Sequence, residues 1–172
     1  GACGADGADV NWTIDENGLF TVSGSGEMGR IETLYTTAYS IKTVVIEDGI
    51  TAIGDSVFHG QKELTAVSIP GSVTVIGNSA FSSCEALETV SLADGLTEID
   101  DYAFQGCTSL KEIDIPASVK NIRDYAFNKC AGLESVTLRE GLNTIGNNAF
   151  CECTALKEIA FPSGVYRYGY SI

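Results

Sequence analysis

Gly24-Ser25-Gly26-Glu27-Met28-Gly29 has the spacing of a loop that cradles phosphates, and Glu47 follows at a distance suited to a ribose contact. Glu112 and Asp114 leave one extended segment on the same face, with Glu158 further on, and paired carboxylates can hydrolyse glycosides. The chain holds 6 Cys, which can form disulfides or bind metal. Asp55, Asn78, Asp101, Asp124 and Asn147 recur regularly enough to suggest calcium. His59 is the single histidine, too few for triads or zinc sites of the usual kind.

The elements that carry these residues repeat. Phe58, Phe81, Phe104, Phe127 and Phe150 are spaced 23 residues apart. The same step carries Leu64, Leu87, Leu110, Leu133 and Leu156, and also Ile53, Ile76, Ile99, Ile122 and Ile145. Cys84, Cys107, Cys130 and Cys153 form a further column. Such columns specify a solenoid, whose units bury their apolar faces only against one another. Within a unit, Ile113 and Ile115 alternate with Glu112 and Asp114, so a short strand points its isoleucines inward. The Asp/Asn column falls three residues before each Phe, where it is expected to cap a short helical turn. After the strands, Gly49, Gly95 and Gly141 alternate with Pro70, Pro116 and Pro162.

This register decides most of the chemistry. Residues 19–23 alternate polar with apolar and pair backward with Val10, Trp12 and Ile14 as a hairpin turning at Gly18. Val44 and Ile46 are in solenoid register, so Glu47 belongs to a turn and residues 24–29 read as a capping loop. A nucleotide-binding enzyme built on that run stays as the remote alternative. Equivalent cysteines one coil apart point in parallel, which disfavours the converging geometry of a disulfide. They read as buried packing thiols, with Cys151 and the early Cys3 as candidate exposed ones. Cys151 shares its column with His59, Ser82, Gln105 and Asn128, expected at the surface. Tyr35 and Ala38 keep weak register in a degenerate first coil, and Tyr166, Tyr168 and Tyr170 are expected to cover the last one.

The 172 residues carry a formal net charge of −13, from 10 Lys+Arg against 23 Asp+Glu. That balance disfavours nucleic-acid phosphate and anionic membranes. No apolar run approaches the roughly 20 residues of a membrane helix.

The pattern in "IGNSAFSSCEALETVSL" and "IDDYAFQGCTSLKEIDIP" resembles the BspA-like leucine-rich repeats of bacterial surface proteins, strongly over residues 41–165. The front, "VNWTIDENGLFTVSGSGEMG", looks like the hairpin that often precedes such repeats. The resemblance implies a β-rich solenoid with a parallel sheet on one face, short helical turns on the other and a hairpin cap. Residues 1–40 would be the cap and 41–172 the solenoid, together one folded domain. It implies a non-catalytic, extracellular or cell-surface module for protein binding or adhesion, without cofactor or metal. The partner would be a protein, such as a host surface or matrix protein, with no nucleic acid and no membrane insertion. A carbohydrate-binding module or a structural spacer is the alternative. The expected binding surface is the concave face: Thr43, Val45, Ala66, Ser68, Thr89, Ser91, Glu112, Asp114, Ser135, Thr137, Glu158 and Ala160.

Overall fold

The computed structural model describes residues 1–5, 7–32, 34 and 39–169. The register readings at Tyr35, Ala38 and Tyr170, and the side chain of Tyr168, lie outside the described residues. Strands β1 (Asp9–Ile14) and β2 (Leu19–Met28) form the hairpin. A longer and a shorter strand then alternate: β3 (Thr43–Ile46), β4 (Ile50–Ile53), β5 (Ala66–Ile69), β6 (Val75–Ile76), β7 (Thr89–Leu92), β8 (Glu98–Ile99), β9 (Glu112–Ile115), β10 (Asn121–Ile122), β11 (Ser135–Leu138), β12 (Thr144–Ile145) and β13 (Arg167–Tyr168).

The hairpin does more than cover the stack. Residues Leu19 to Val22 of β2 pair in parallel with β3, and Gly26 to Met28 pair with β4. One strand thus starts both ladders of the solenoid, bending at an irregularity between Gly26 and Glu27. The glycines of the phosphate-loop look-alike make that bend. Gly24 (φ 114) and Gly26 (φ 104) take left-handed backbone, and a Cβ on Gly24 would collide with the Asp9 carbonyl. The run is strand, corner and strand, so the nucleotide alternative loses the loop that it required.

Parallel pairing occupies two faces instead of the expected one. The short strands run unbroken from β4 through β6, β8, β10 and β12 to β13. The longer ones run from β2 through β3 and β5 to β7, and β9 with β11 forms a separate pair.

The third face holds turns where helical turns were expected. Ser56, Ser79, Tyr102, Tyr125 and Asn148, equivalent in each coil, have φ between 55 and 60. Ser83, Lys129 and Glu152 repeat this near φ 60–62, four residues after Ser79, Tyr125 and Asn148. Left-handed residues at that spacing end a helix before it starts. Their compensation is hydrogen bonding between coils. The Phe58, Phe81, Phe104 and Phe127 N–H groups donate to the carbonyls of Ala80, Ala103, Ala126 and Ala149 at 2.8–2.9 Å. The acidic column works the same way. Asp101 accepts the Asp124 N–H at 2.9 Å, and Asp124 accepts the Asn147 N–H at 2.6 Å, so each carboxylate caps the next coil and not its own turn. Burial, with the charges of Asp100 and Asp124, raises the Asp101 pKa above the ordinary carboxylate value.

Inside, the phenylalanines form one stack. Centroids from Phe58 through Phe81, Phe104 and Phe127 to Phe150 are each 5.3 Å apart, with the ring planes nearly parallel. Trp12 stacks on Phe20, and Phe20 meets Phe58 edge-on, so the hairpin closes the stack with its own aromatics. Tyr166 is exposed at 76% and does not cover the last coil.

Candidate functional site

The outward positions of the longer strands fall into two files. Thr43, Ala66 and Thr89 are register partners in one, and Val45, Ser68 and Ser91 in the other. Glu112 with Ser135, and Asp114 with Thr137, repeat the pairing on β9 and β11. Glu158 and Ala160 follow in a segment that forms no strand. Thr43, Val45 and Ala66 are half-buried and the remaining nine are exposed. The face is broad, small-featured and polar.

Its acidity is lower than the sequence suggests. Arg139 reaches back one coil: Nε donates to Asp114 Oδ1 at 3.0 Å and the terminal nitrogen to Oδ2. Asp114 therefore serves as half of a bidentate pair, and its hydrogen bonds and charge raise the Arg139 pKa. Lys111 and Glu134 pair at 3.7 Å beside it. Glu112 and Glu158 stand two coils apart on an open surface, without the enclosed pair geometry of a glycosidase.

The face is also interrupted where the sequence alternates Gly and Pro. The β3–β5 ladder, at Pro70, has three register pairs where β5–β7 has four. No ladder joins β7 to β9, the interface that carries Pro116. Proline has no N–H for a ladder bond. At the same position in the previous coil, the Ala93 N–H donates to the Ile69 carbonyl at 3.1 Å.

The thiols sit as a column, with one correction. Cys84, Cys107, Cys130 and Cys153 are buried, and each donates to the carbonyl of Phe58, Phe81, Phe104 or Phe127 at 3.1–3.3 Å. Burial pushes Cys84 up to about 12 and Cys107 well above the ordinary thiol value. Cys3 is not exposed: it packs in the hairpin core, where burial pushes it up to about 11. Cys151 is half-buried. Its column is also less exposed than expected. Only His59 is open, while Ser82, Gln105 and Asn128 form a hydrogen-bonded file ending on the Cys151 carbonyl. A thiol reagent under native conditions is expected to modify Cys151 at least tenfold faster than Cys3, Cys84, Cys107 or Cys130, by peptide mass spectrometry. Equal rates would show that the column opens readily.

Among the described residues, no group of three or more His, Cys, Asp or Glu is placed to hold a metal ion, and no helix is long and apolar enough to cross a membrane.

The chain resembles solved leucine-rich repeat structures. A leucine-rich repeat protein of T. pallidum is 26% identical, with a TM-score of 0.71 over 93% of this chain and 78% of that one. A leucine-rich cell surface protein of Faecalibacterium prausnitzii is 29% identical, with a TM-score of 0.68 over 95% of this chain and 38% of that one. A repeat protein of Eubacterium ventriosum, at 22% identity and a TM-score of 0.58 over 96% of this chain and 60% of that one, shares the fold. No curated protein matches. The model of the BspA-type leucine-rich repeat region matches with 6 copies, over residues 31–119 and 51–172. With the stacked coils, the phenylalanine file and the buried thiols all in that repeat's register, the chain belongs to the BspA-type leucine-rich repeat family.

Proposed function

We propose that this chain is a non-catalytic, extracellular or cell-surface module that binds a protein partner, such as a host surface or matrix protein, in an adhesive role. The observation that carries the reading is the outer face of β3, β5, β7, β9 and β11, with its files of small polar side chains. A broad, shallow face suits a protein surface better than a small molecule, which needs an enclosed pocket. The net charge of −13 favours basic partners by steering their approach. The cell-surface description of the F. prausnitzii protein supports surface display.

Ser68→Arg with Thr137→Arg places bulk and positive charge on this face at exposed positions. The pair is expected to weaken capture of partner proteins from host surface and matrix extracts at least tenfold, with the thermal transition unchanged. Undiminished capture would move the binding surface elsewhere.

A further inference from the structure

The split between β7 and β9 ends in a cavity. The splitting extends along the strands: the Glu88 and Thr89 N–H groups donate to the Thr65 carbonyl, and those of Glu134 and Ser135 to Lys111. Neither Lys111 nor Glu112 donates to Glu88 in this way. The coils stay joined on their other side, where β8 pairs with β10. Leu92, like its counterpart Leu138, is half-buried, whereas Ile69 and Ile115 are buried.

At the Pro116 end of the split lies a cavity of about 460 Å³. Leu92, Ala93, Pro116 and Ala117 give it apolar walls, and Asp94, Asp114 and Arg139 its charges. The β5–β7 register sets the Ile69 carbonyl against the Ala93 N–H, and one coil on the residue in Ala93's place is Pro116, which has no N–H to offer the Leu92 carbonyl. Asp114 is engaged by Arg139 on both oxygens. Asp94 has no ion pair within bonding distance among the described residues, and its charge adds only to the field at Arg139. The cavity therefore combines apolar walls, a carbonyl whose partner position in the repeat is a proline, a carboxylate without an ion pair and an excess of negative charge.

We infer that this cavity is an anchor pocket for an arginine side chain of the partner polypeptide. Its methylene stem lies between Leu92 and Pro116, and its guanidinium donates to the Leu92 carbonyl and the Asp94 carboxylate. Arginine fits because its planar fork can serve both acceptors while its stem covers apolar wall. The Arg139–Asp114 pair next to it is the same interaction made within the chain. The inference rests on the reading of this face as protein-binding and names the side chain that it selects.

The probe is the capped pentapeptide Ser-Thr-Arg-Thr-Ser, titrated against isotope-labelled protein at 150 mM salt to screen general attraction to the acidic surface. Amide shifts are expected to concentrate at residues 91–95, 117–118 and 139–140. Citrulline in place of arginine keeps the shape without the charge and is expected to weaken binding about fivefold or more. Asp94→Asn should weaken it to a similar degree, and Glu16→Gln, exposed in the hairpin turn and outside both the face and the cavity, should leave it unchanged. Shifts spread evenly over the acidic surface, equal binding of the citrulline peptide or an inert Asp94→Asn would each overturn the pocket. If the pocket fails while Ser68→Arg with Thr137→Arg still abolishes partner capture, the protein-binding face survives without it. If the peptide binds as expected but that face variant captures normally, the pocket stands and the wider face falls.

Discussion

Phe104→Ala is expected to destabilise the protein by about 3–5 kcal/mol and to broaden its unfolding transition. The side chain is fully buried and stacked at 5.3 Å on Phe81 and on Phe127. Removing it takes away both ring contacts and leaves a cavity at the middle of the stack. Local relaxation cannot close that cavity easily, because the adjoining backbone is tied between coils at Phe104 N–H to Ala126 O and at Phe81 N–H to Ala103 O. In a quasi-one-dimensional stack each coil is stabilised by its neighbours, so a weak central coil uncouples the two ends. The β7–β9 split lies beside this same coil, leaving fewer backbone bonds to hold the halves together. Glu112→Ala is the contrast: exposed, it should change stability by no more than about 0.5 kcal/mol. Chemical denaturation of both variants decides the matter. A sharp, wild-type transition for Phe104→Ala would show that the aromatic stack is not what couples the coils.

The inside of this protein was legible because the repeat is strict. A 23-residue register identifies the inward Phe, Leu, Ile and Cys by comparing coils, without any need to assign local structure. Local structure itself misled on the third face. An Asp or Asn three residues before each Phe looks like the cap of a helical turn, but amides such as that of Phe104 bond to the adjacent coil, and Tyr102 and Tyr125 sit at φ 59 and 60. The same omission placed the Asp124 cap on its own turn when it belongs to Asn147 of the next coil. Outward residues followed from strand alternation alone. Pairing among them did not, since Asp114 meets Arg139 from another coil, and Asp94, Pro116 and Arg139 line one cavity from three different turns. The Gly/Pro alternation was visible in the sequence. Its consequence, the missing ladder between β7 and β9, needed the strand pairing of the folded chain.

Raising the pH above about 9 is expected to destabilise the protein through its buried thiols. Cys84 and Cys107 are fully buried and donate to the Phe58 and Phe81 carbonyls at 3.1 and 3.3 Å. A thiolate there would lose its water and face a carbonyl oxygen without a proton between them. Burial accordingly pushes Cys84 up to about 12 and Cys107 well above the ordinary value of 9.0. The sign follows from which state binds more protons. Unfolded thiols ionise from about pH 8.5–9 upward, while the folded ones keep their protons, so stability is full below that point and falls as pH rises toward the folded values. Each thiol contributes a slope of about 1.4 kcal/mol per pH unit in that window. Tyrosines and lysines titrate in the same range, so the readout is a difference. Under reducing conditions, Cys84→Ala with Cys107→Ala should start less stable, because two buried side chains are trimmed, yet its stability should fall less steeply by about 3 kcal/mol per pH unit between pH ~9.5 and ~11. The two curves should therefore converge in alkali. Curves that stay parallel would mean that the column thiols ionise as easily in the folded stack as in the open chain.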